Sequence, residues 1–299
     1  MTGRESTFRG VHALLLTPFL HNKEIDWDAY DRYVDWQLSK RPNGLFAVCG
    51  SSEMDLLTLQ ERLELAKRAA ARAGGTPVLA TGNVQGDPAE HEEELRRMAE
   101  TGVSGIVLIP PGSMGEDQSR LEDYFARLAG LSPLPVFLYE CPLAAPRHIE
   151  PSVYGRLVAN HGIAGIKDTT CTPETIHAKI VSAPQSLVFQ ANMSYLRESV
   201  RDGAQGIMAT TGSAAVDALL EYWRAEQEGD ALAAEMWHEL LVFLDGVFGR
   251  GYPATAKHLV DLRGVRMETV TRKSKGMNES AAKGVEVWWR AAERMLKRG

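Results

Sequence analysis

Lys167 is the residue of this chain whose position best suits covalent chemistry. It ends the short apolar segment 163–167, at the point where a buried strand would meet a loop. An amine attacks a carbonyl only in its unprotonated form, and apolar surroundings lower the pKa of a lysine enough to supply that form near neutral pH. We therefore interpret Lys167 as a nucleophile that forms a Schiff base. The alternative is a solvated, inactive side chain among 33 lysines and arginines, and its neighbours must decide between the two.

Other side chains that could take part in chemistry follow other apolar segments. Besides Lys167, the residues at such ends are Thr17, Ser51, Ser52, Glu53, Tyr139, Glu140, Asn192 and Met208. The Tyr139 hydroxyl could pass a proton to and from a substrate, and Ser51 and Ser52 could hold a carboxylate through hydroxyl and N–H groups. The structural alternatives are a half-buried strand tyrosine and a polar turn. We expect Glu53 to orient its loop through backbone hydrogen bonds.

The elements that would position these residues alternate between strand and helix. Eight apolar segments predict strands, at 11–18, 44–49, 76–81, 104–109, 134–139, 163–167, 186–190 and 205–209. Helical periodicity lies between them, and N-cap signals stand at Asp26, at Asp87 and in the capping box of Thr58 and Glu61. A helix is also expected from Asn192 to Val200, and the chain from residue 214 onward reads as almost wholly helical.

Eight such units predict an α/β fold, a (β/α)8 barrel with a C-terminal helical extension. We expect residues 1–213 to form the barrel strands and their helices. Residues 214–299 would supply the last barrel helix and the extension, within a single structural unit. An open doubly wound sheet would be favoured by a GxGxxG motif after the first strand, which this chain lacks. In a barrel the catalytic groups gather at the carboxyl ends of the strands.

Composition excludes several classes of function. The net charge is −6 and no basic run is long enough to follow a phosphate backbone, so nucleic acid is not an expected partner. No apolar run approaches a membrane span, and the first residues are polar and charged, so we expect a cytoplasmic protein that does not contact the membrane. The three cysteines lie far apart without a CxxC spacing, and the eight histidines form no HExxH motif. Neither a metal nor a cofactor is expected.

Two segments resemble motifs of the dihydrodipicolinate synthase and N-acetylneuraminate lyase family of class I aldolases and dehydratases. Residues 165–168, Gly-Ile-Lys-Asp, are similar to its Schiff-base lysine motif, and residues 138–142, Leu-Tyr-Glu-Cys-Pro, resemble its Y-N-x-P motif. The likeness runs from 13–19 to 253–259. It implies a TIM barrel, a homo-oligomer (a dimer or a tetramer assembled from dimers), and a small 2-oxo acid such as pyruvate as substrate. Thr17 and Ile207 are expected to contact that substrate together with the two serines.

The serine loop departs from the family pattern. Ser51 takes the place of the second threonine of the G-T-T-G-E motif, whose hydroxyl and N–H hold the 2-oxo acid carboxylate. Gly50 replaces the first threonine, which joins the proton relay in the family, and Ser52 is the residue that could take over that role. Residues 110–113, Pro-Pro-Gly-Ser, stand where the family often has a P-Y-Y motif that sends a tyrosine into a neighbouring subunit.

A further departure concerns specificity. Ala144 stands where the synthase carries an arginine that grips the carboxylate of its aldehyde substrate, and Arg147 is three residues further on. Loss of that guanidinium removes a charge-assisted contact, which counts against a role in lysine biosynthesis.

Two hypotheses remain open at the level of sequence. The favoured one is a Schiff-base lyase, an aldolase or dehydratase, that breaks or forms a carbon–carbon bond or removes water. The alternative is a protein that captures a 2-oxo acid or sugar acid with little or no turnover, motivated by Gly50 and the absent tyrosine after Pro110. A nicotinamide-dependent oxidoreductase lacks a dinucleotide-binding motif and ranks below both.

Overall fold

The structure, a computed structural model, describes residues 5–114, 116–141, 148–273 and 276–297 of the chain. Eight parallel strands close into a barrel in sequence order, which confirms the predicted (β/α)8 architecture. The strands are β1 (Gly10–Leu14), β2 (Gly44–Val48), β3 (Val78–Thr81), β4 (Gly105–Leu108), β5 (Val136–Tyr139), β6 (Gly165–Asp168), β7 (Leu187–Gln190) and β8 (Gly206–Ile207). Every residue of these strands is buried, as expected for a parallel sheet covered on both faces.

The helices lie outside the barrel and in the C-terminal third of the chain. They are α1 (Trp27–Ser39), α2 (Leu59–Arg72), α3 (His91–Ala99), α4 (Gln118–Leu131), α5 (Pro151–His161), α6 (Pro173–Ser182), α7 (Leu196–Arg201), α8 (Val216–Glu228), α9 (Ala231–Phe248), α10 (Ala254–Leu262) and α11 (Glu279–Leu296). No helix among the described residues is long and apolar enough to cross a membrane.

The predicted N-caps are confirmed for α1 and α2 and only partly for α3. Asp26 accepts a hydrogen bond from the first turn of α1, and Thr58 and Glu61 form the expected capping box of α2. Asp87 instead caps a 3-10 turn, Pro88–Glu90, and α3 begins only after that turn. The side chain of Asp87 satisfies a backbone N–H as predicted, but within a tighter helix.

The predicted helix from Asn192 onward was wrong in its first turn, because α7 begins only at Leu196. The side-chain oxygen of Gln190 accepts the backbone N–H groups of Ala191 and Asn192 at 2.7 and 2.6 Å. The Asn192 side chain then accepts the N–H of Ser194 at 2.9 Å. These local bonds give the backbone an alternative to the helix. They hold the segment as a turn at the carboxyl end of β7.

Strand β1 is shorter than predicted, since its ladder ends at Leu14. Leu15 still donates to the carbonyl oxygen of Phe46, but Leu16 donates to the hydroxyl of Tyr33. Thr17 consequently lies beyond the strand, beside the loop that follows β2.

The C-terminal extension is bound to the loop after β2 by buried charges. The Glu53 carboxylate accepts the Lys257 ammonium at 3.2 Å with one oxygen. Its other oxygen accepts the backbone N–H groups of Arg272 and Lys273 at 2.7 and 2.8 Å. Glu53 therefore makes backbone hydrogen bonds as expected, although to a segment more than 200 residues away. This arrangement places the extension over the carboxyl ends of the strands.

Candidate active site

Lys167 and Tyr139 lie side by side at the carboxyl ends of β6 and β5. Their Cα atoms are partners in the parallel ladder, so both side chains point to the same face of the sheet. The Nζ atom of Lys167 lies 4.2 Å from the centroid of the Tyr139 ring and 5.8 Å from that of Phe46. The amine thus lies close to two aromatic rings at the carboxyl end of the barrel.

Burial sets the electrostatics of this lysine. Lys167 is 5% exposed, and desolvation lowers the pKa of its ammonium, while the thiols of Cys49 and Cys141 act in the opposite direction. Among the described residues no aspartate or glutamate contributes to the pKa of Lys167. Without a carboxylate partner the ammonium form gains little, so its proton is lost more readily than that of an exposed lysine. This is the electrostatic setting that a Schiff-base lysine requires.

The pKa of Tyr139 shifts in the opposite direction, upward. Burial raises the pKa of its phenol well above the ordinary value, and the neighbouring thiols of Cys141 and Cys49 raise it further. The hydroxyl therefore stays protonated at neutral pH and can donate a hydrogen bond or a proton.

A buried ion cluster, which sequence reasoning missed, lies next to this pair. The Lys179 ammonium of α6 contacts Glu140 at 2.6 Å and Asp168 at 2.7 Å, and none of the three side chains is exposed. Burial raises the pKa of the Glu140 carboxyl, and the charge of Lys179 opposes that shift. Glu140 and Asp168 directly follow Tyr139 and Lys167, so the cluster ties together the ends of β5 and β6.

One signal in the sequence could have revealed the cluster. Ile176, Lys179 and Ala183 stand at helical spacing on one face, and all three are buried. A lysine on the apolar face of a helix requires buried acidic partners. Glu140 and Asp168, which directly follow Tyr139 and Lys167, are the acidic residues that could be identified as these partners.

The serines occupy a 3-10 turn, Gly50–Ser52, after β2. The Ser52 hydroxyl donates to the carbonyl of Cys49 at 2.7 Å and accepts the Cys49 N–H at 2.9 Å, while Thr17 donates to the Ser52 carbonyl at 2.7 Å. The Ser51 hydroxyl instead accepts a hydrogen bond from Tyr252 at 2.5 Å. The hydroxyls of Ser52 and Thr17 thus hold the turn, whereas that of Ser51 pairs with a side chain.

A cavity of about 280 Å³ opens at this end of the barrel. Its lining residues are Tyr139, Lys167, Thr169, Cys171, Ala191, Asn192, Met208, Thr210 and Asp245. Of the residues predicted to act on the substrate, Lys167 and Tyr139 line it. Thr17, Ser51, Ser52 and Ile207 do not line it: the first three cluster at the turn after β2, and Ile207 is fully buried in β8.

Asp245 and Tyr252 reach this region from the C-terminal extension, and no sequence signal pointed to either. Asp245, near the end of α9, accepts the Thr210 hydroxyl at 2.9 Å, and burial raises the pKa of its carboxyl. Ala144 and Arg147, where the sequence predicted a change in specificity, lie outside the described residues. The described part of the chain contains no group of three or more His, Cys, Asp or Glu side chains arranged to hold a metal ion.

A family model and individual known sequences both match this chain over most of its length. Residues 7–284 match the model of the Dihydrodipicolinate synthetase family. The 4-hydroxy-tetrahydrodipicolinate synthase of Kosmotoga olearia is 26% identical over 288 residues, covering 93% of this chain and 98% of that protein. That of Xylella fastidiosa is 27% identical over 234 residues, covering 78% of this chain and 77% of the relative.

Solved structures show the same fold. The prophage protein YagE of E. coli K12, of the dihydrodipicolinic acid synthase family and in complex with pyruvate, has a TM-score of 0.88 at 22% identity. That alignment covers 96% of this chain and 99% of YagE. A monomeric dihydrodipicolinate synthase variant has a TM-score of 0.89 at 19% identity, with 98% and 99% covered. At these identities the likeness concerns the fold alone.

Proposed function

This chain belongs to the dihydrodipicolinate synthetase family, and from this premise we infer that it is a class I lyase that forms a Schiff base with a 2-oxo acid. Membership confirms the resemblance of the two sequence motifs. The observation that best supports the inference is Lys167, a buried amine with a lowered pKa that lies against Tyr139 at the carboxyl ends of the strands. Nothing among the described residues favours the alternative of a binding protein without turnover.

We assign the covalent step to Lys167. The neutral Nζ attacks the C2 carbonyl carbon of the 2-oxo acid, and the adduct loses one water molecule to give an iminium. The iminium draws electrons from C3, so that either a proton leaves C3 or the bond from C3 to C4 breaks, and both routes give an enamine. Tyr139 is the proposed carrier of the proton in these steps, because its phenol is protonated at neutral pH and lies beside the amine.

The carboxylate of the substrate is proposed to bind at the turn Gly50–Ser52. Ser51 would donate its hydroxyl proton to the carboxylate, since its oxygen already accepts from Tyr252. Ser52 and Thr17 would support the binding by holding the turn in shape. Ile207 is proposed as an apolar contact of the bound substrate.

The cavity beyond Lys167 suits a substrate with a polar but not anionic second half. The side chains of Thr169, Asn192, Thr210 and Asp245 face that space and offer hydroxyl, amide and carboxylate groups. A second substrate carboxylate would meet the acidic Asp245, whereas hydroxyl groups would find donors and acceptors. Both cleavage of a carbon–carbon bond and loss of water are compatible with this arrangement.

We also propose that the protein acts in the cytoplasm as a homo-oligomer, a dimer or a tetramer. Support for assembly comes from an apolar groove of about 740 Å³ between α9 and α11, bordered by Phe243, Val287 and Trp288. Phe243 and Val287 are 65% and 52% exposed, which is unusual for side chains of this type.

Borohydride trapping tests the proposed covalent chemistry. Incubation with pyruvate and borohydride is expected to add a fixed mass to the protein, and peptide mass spectrometry should place that mass on Lys167. Lys167→Ala should lose the adduct, while Lys283→Ala, which removes a lysine that is 66% exposed, should retain it.

Two outcomes would contradict the assignment. One is the absence of an adduct with every 2-oxo acid tried at neutral or mildly alkaline pH. The other is stabilisation of Lys167→Ala by the same ligands in a thermal shift assay, combined with no turnover by the wild type, which would support the binding protein instead.

A further inference from the structure

Asp245 is the one carboxylate among the described residues that line the cavity beside Lys167. It lies near the end of α9, and its Oδ1 atom accepts a hydrogen bond from the Thr210 hydroxyl at 2.9 Å. No other described residue donates a hydrogen bond to this carboxylate, so its Oδ2 atom is left for a ligand. The side chain is half-buried and lines the cavity, so a molecule bound there can reach this oxygen.

The Asp245 carboxylate and the Lys167 amine share the cavity without contact. Only the thiols of Cys49 and Cys141 oppose the desolvation that lowers the pKa of Lys167, so the charge of Asp245 does not act on the amine. The two groups thus lie apart within a cavity of about 280 Å³, which leaves room for a carbon chain between them.

Cleavage of a substrate between C3 and C4 requires a base at the oxygen on C4. As the electrons of the C3–C4 bond move towards the iminium, the C4 hydroxyl must lose its proton so that C4 can become a carbonyl. Tyr139 does not suit this step, because burial raises the pKa of its phenol and keeps it protonated at neutral pH. A protonated phenol can donate a proton to C3, but it is not a base. The cavity must supply that base from another residue.

We propose that Asp245 is the catalytic base that takes the proton of the C4 hydroxyl when a 4-hydroxy-2-oxo acid bound to Lys167 is cleaved. In the reverse condensation, Asp245 returns this proton to the aldehyde oxygen. The assignment deepens the proposed function and rests on the Schiff base at Lys167. With C2 bonded to the amine, the C4 oxygen lies three bonds further along the chain and is the substrate atom that Asp245 contacts.

The atoms and electrons of this cleavage balance. The C3–C4 bond breaks, C4 becomes the carbonyl carbon of an aldehyde, and the electron pair forms the C2–C3 double bond of an enamine. Tyr139 then protonates C3, and one water molecule hydrolyses the iminium to release the 2-oxo acid. This water replaces the one lost when the Schiff base formed. The proton on Asp245 returns to the phenolate of Tyr139 through solvent, which restores both groups.

The electrostatic setting of Asp245 suits a group that both takes and gives a proton. Burial raises the pKa of its carboxyl, and the hydrogen bond from Thr210 opposes that shift. A carboxylate whose pKa is raised is a stronger base than an exposed aspartate, whose pKa is about 4. Shifts of this kind are common among the acids and bases of active sites.

A purely structural role explains Asp245 less well. This part of α9 is already anchored by the buried side chains of Leu241, Leu244 and Phe248. An asparagine would accept the same hydrogen bond from Thr210 without the cost of burying a charge. The negative charge is therefore not needed to hold α9 in place.

Asp245→Asn tests the assignment, because it keeps the shape of the side chain and removes the base. With pyruvate alone, this variant is expected to form the borohydride adduct at Lys167 and to exchange the pyruvate methyl protons for deuterium within about twofold of the wild type. Condensation of pyruvate with glycolaldehyde or glyceraldehyde should fall at least about a hundredfold, the low end of general acid–base effects. Asp123→Asn, at an exposed position of α4, is the matched control and should condense both aldehydes at the wild-type rate.

The outcomes for Asp245 and for the Schiff base are distinguishable. Condensation by Asp245→Asn within about twofold of the wild type would overturn the role of Asp245 and leave the Schiff base untouched. A wild type that forms the adduct but condenses neither aldehyde would overturn that role too. No adduct in the wild type would instead refute the proposed function itself.

Chemical rescue decides the question should Asp245→Asn lose its cooperative unfolding. Asp245→Ala opens space beside the substrate, and formate, a small carboxylate, should restore part of its condensation rate. Formate should not restore Lys167→Ala, which lacks the amine. Equal rates of Asp245→Ala with and without formate would overturn the proposal.

Discussion

Replacement of Lys179 by methionine is the sharpest test of how the strand ends that carry Lys167 and Tyr139 are held together. The substitution keeps most of the side-chain volume but removes the ammonium that contacts Glu140 at 2.6 Å and Asp168 at 2.7 Å. Two carboxylates would then remain in a region from which water is excluded, since all three side chains are fully buried. The loss of one partner leaves uncompensated charge, which costs far more than the pair itself contributes.

The expected magnitude follows from this burial. Removal of one member of a buried ion pair destabilises a protein by about 3–5 kcal/mol. With an unfolding entropy of about 2.1 cal/mol/K per residue, that corresponds to a fall in melting temperature of about 5–8 °C for 299 residues. The exposed pair of Lys283 and Glu286 offers a matched control, because its two side chains are 66% and 35% exposed. Lys283→Met should therefore cost less than about 1 kcal/mol.

The destabilisation caused by Lys179→Met should also depend on pH. Burial raises the pKa of the Glu140 carboxyl in the folded protein, and loss of Lys179 removes the charge that opposes this shift. A group with a raised pKa binds its proton more readily when folded, so falling pH favours the folded state of the variant. The destabilisation by Lys179→Met should thus be largest at neutral and alkaline pH and shrink as Glu140 becomes protonated.

Denaturant unfolding of the wild type and the variants across a pH series measures both the loss of stability and its dependence on pH. Addition of Glu140→Gln to Lys179→Met should recover part of the lost stability, because one stranded charge is removed. The reasoning would be refuted if Lys179→Met lowered the free energy of unfolding by less than about 1 kcal/mol at neutral pH. A loss of stability that did not change with pH would refute it too.

Two further changes have expected effects on stability. Asp245→Asn should raise the melting temperature at neutral pH, since burial raises the pKa of that carboxyl and its charged form is therefore disfavoured. The gain should vanish as the pH falls through the raised pKa, and a gain that is constant with pH would contradict this cause. Gly165→Ala should destabilise by about 1–3 kcal/mol or more, because an added Cβ would lie 2.4 Å from the backbone oxygen of Leu187 in the neighbouring strand. Gly246→Ala in α9, where the added Cβ would meet no described atom within 4 Å beyond its own stretch of helix, should instead stabilise by about 0.5–1 kcal/mol in thermal unfolding.

The barrel and the position of Lys167 at the end of a buried strand could be predicted because the signals for both are local. Apolar segments of strand length end in Tyr139 and Lys167, and helical periodicity between them suffices to order the units. Element ends were less accurate where side chains compete with the backbone, as Gln190 does at the start of α7. Register and closure then follow from the twist of a parallel sheet rather than from any single residue.

The part of the site that comes from the extension could not be predicted, for a physical reason. Tyr252 meets Ser51 across 201 residues, and Arg272 meets Glu53 across 219. Such contacts depend on how α9 and α10 dock on the barrel, and the helical pattern of that region is satisfied by many docking geometries. Periodicity identifies which face of a helix is apolar, but not the side chains that meet at its ends.

The placement of charges around Lys167 explains why the pKa of its amine is lowered although three ionisable side chains, Glu140, Asp168 and Lys179, lie nearby. Successive residues of a strand point to opposite faces, so Tyr139 and Lys167 face the interior while Glu140 and Asp168 face the layer of helices. Lys179 then pairs with both acids outside the barrel. Were either carboxylate to face inward, it would stabilise the ammonium form of Lys167 and raise its pKa. The ion cluster therefore holds the two strand ends together and leaves the Lys167 amine without a counter-ion among the described residues.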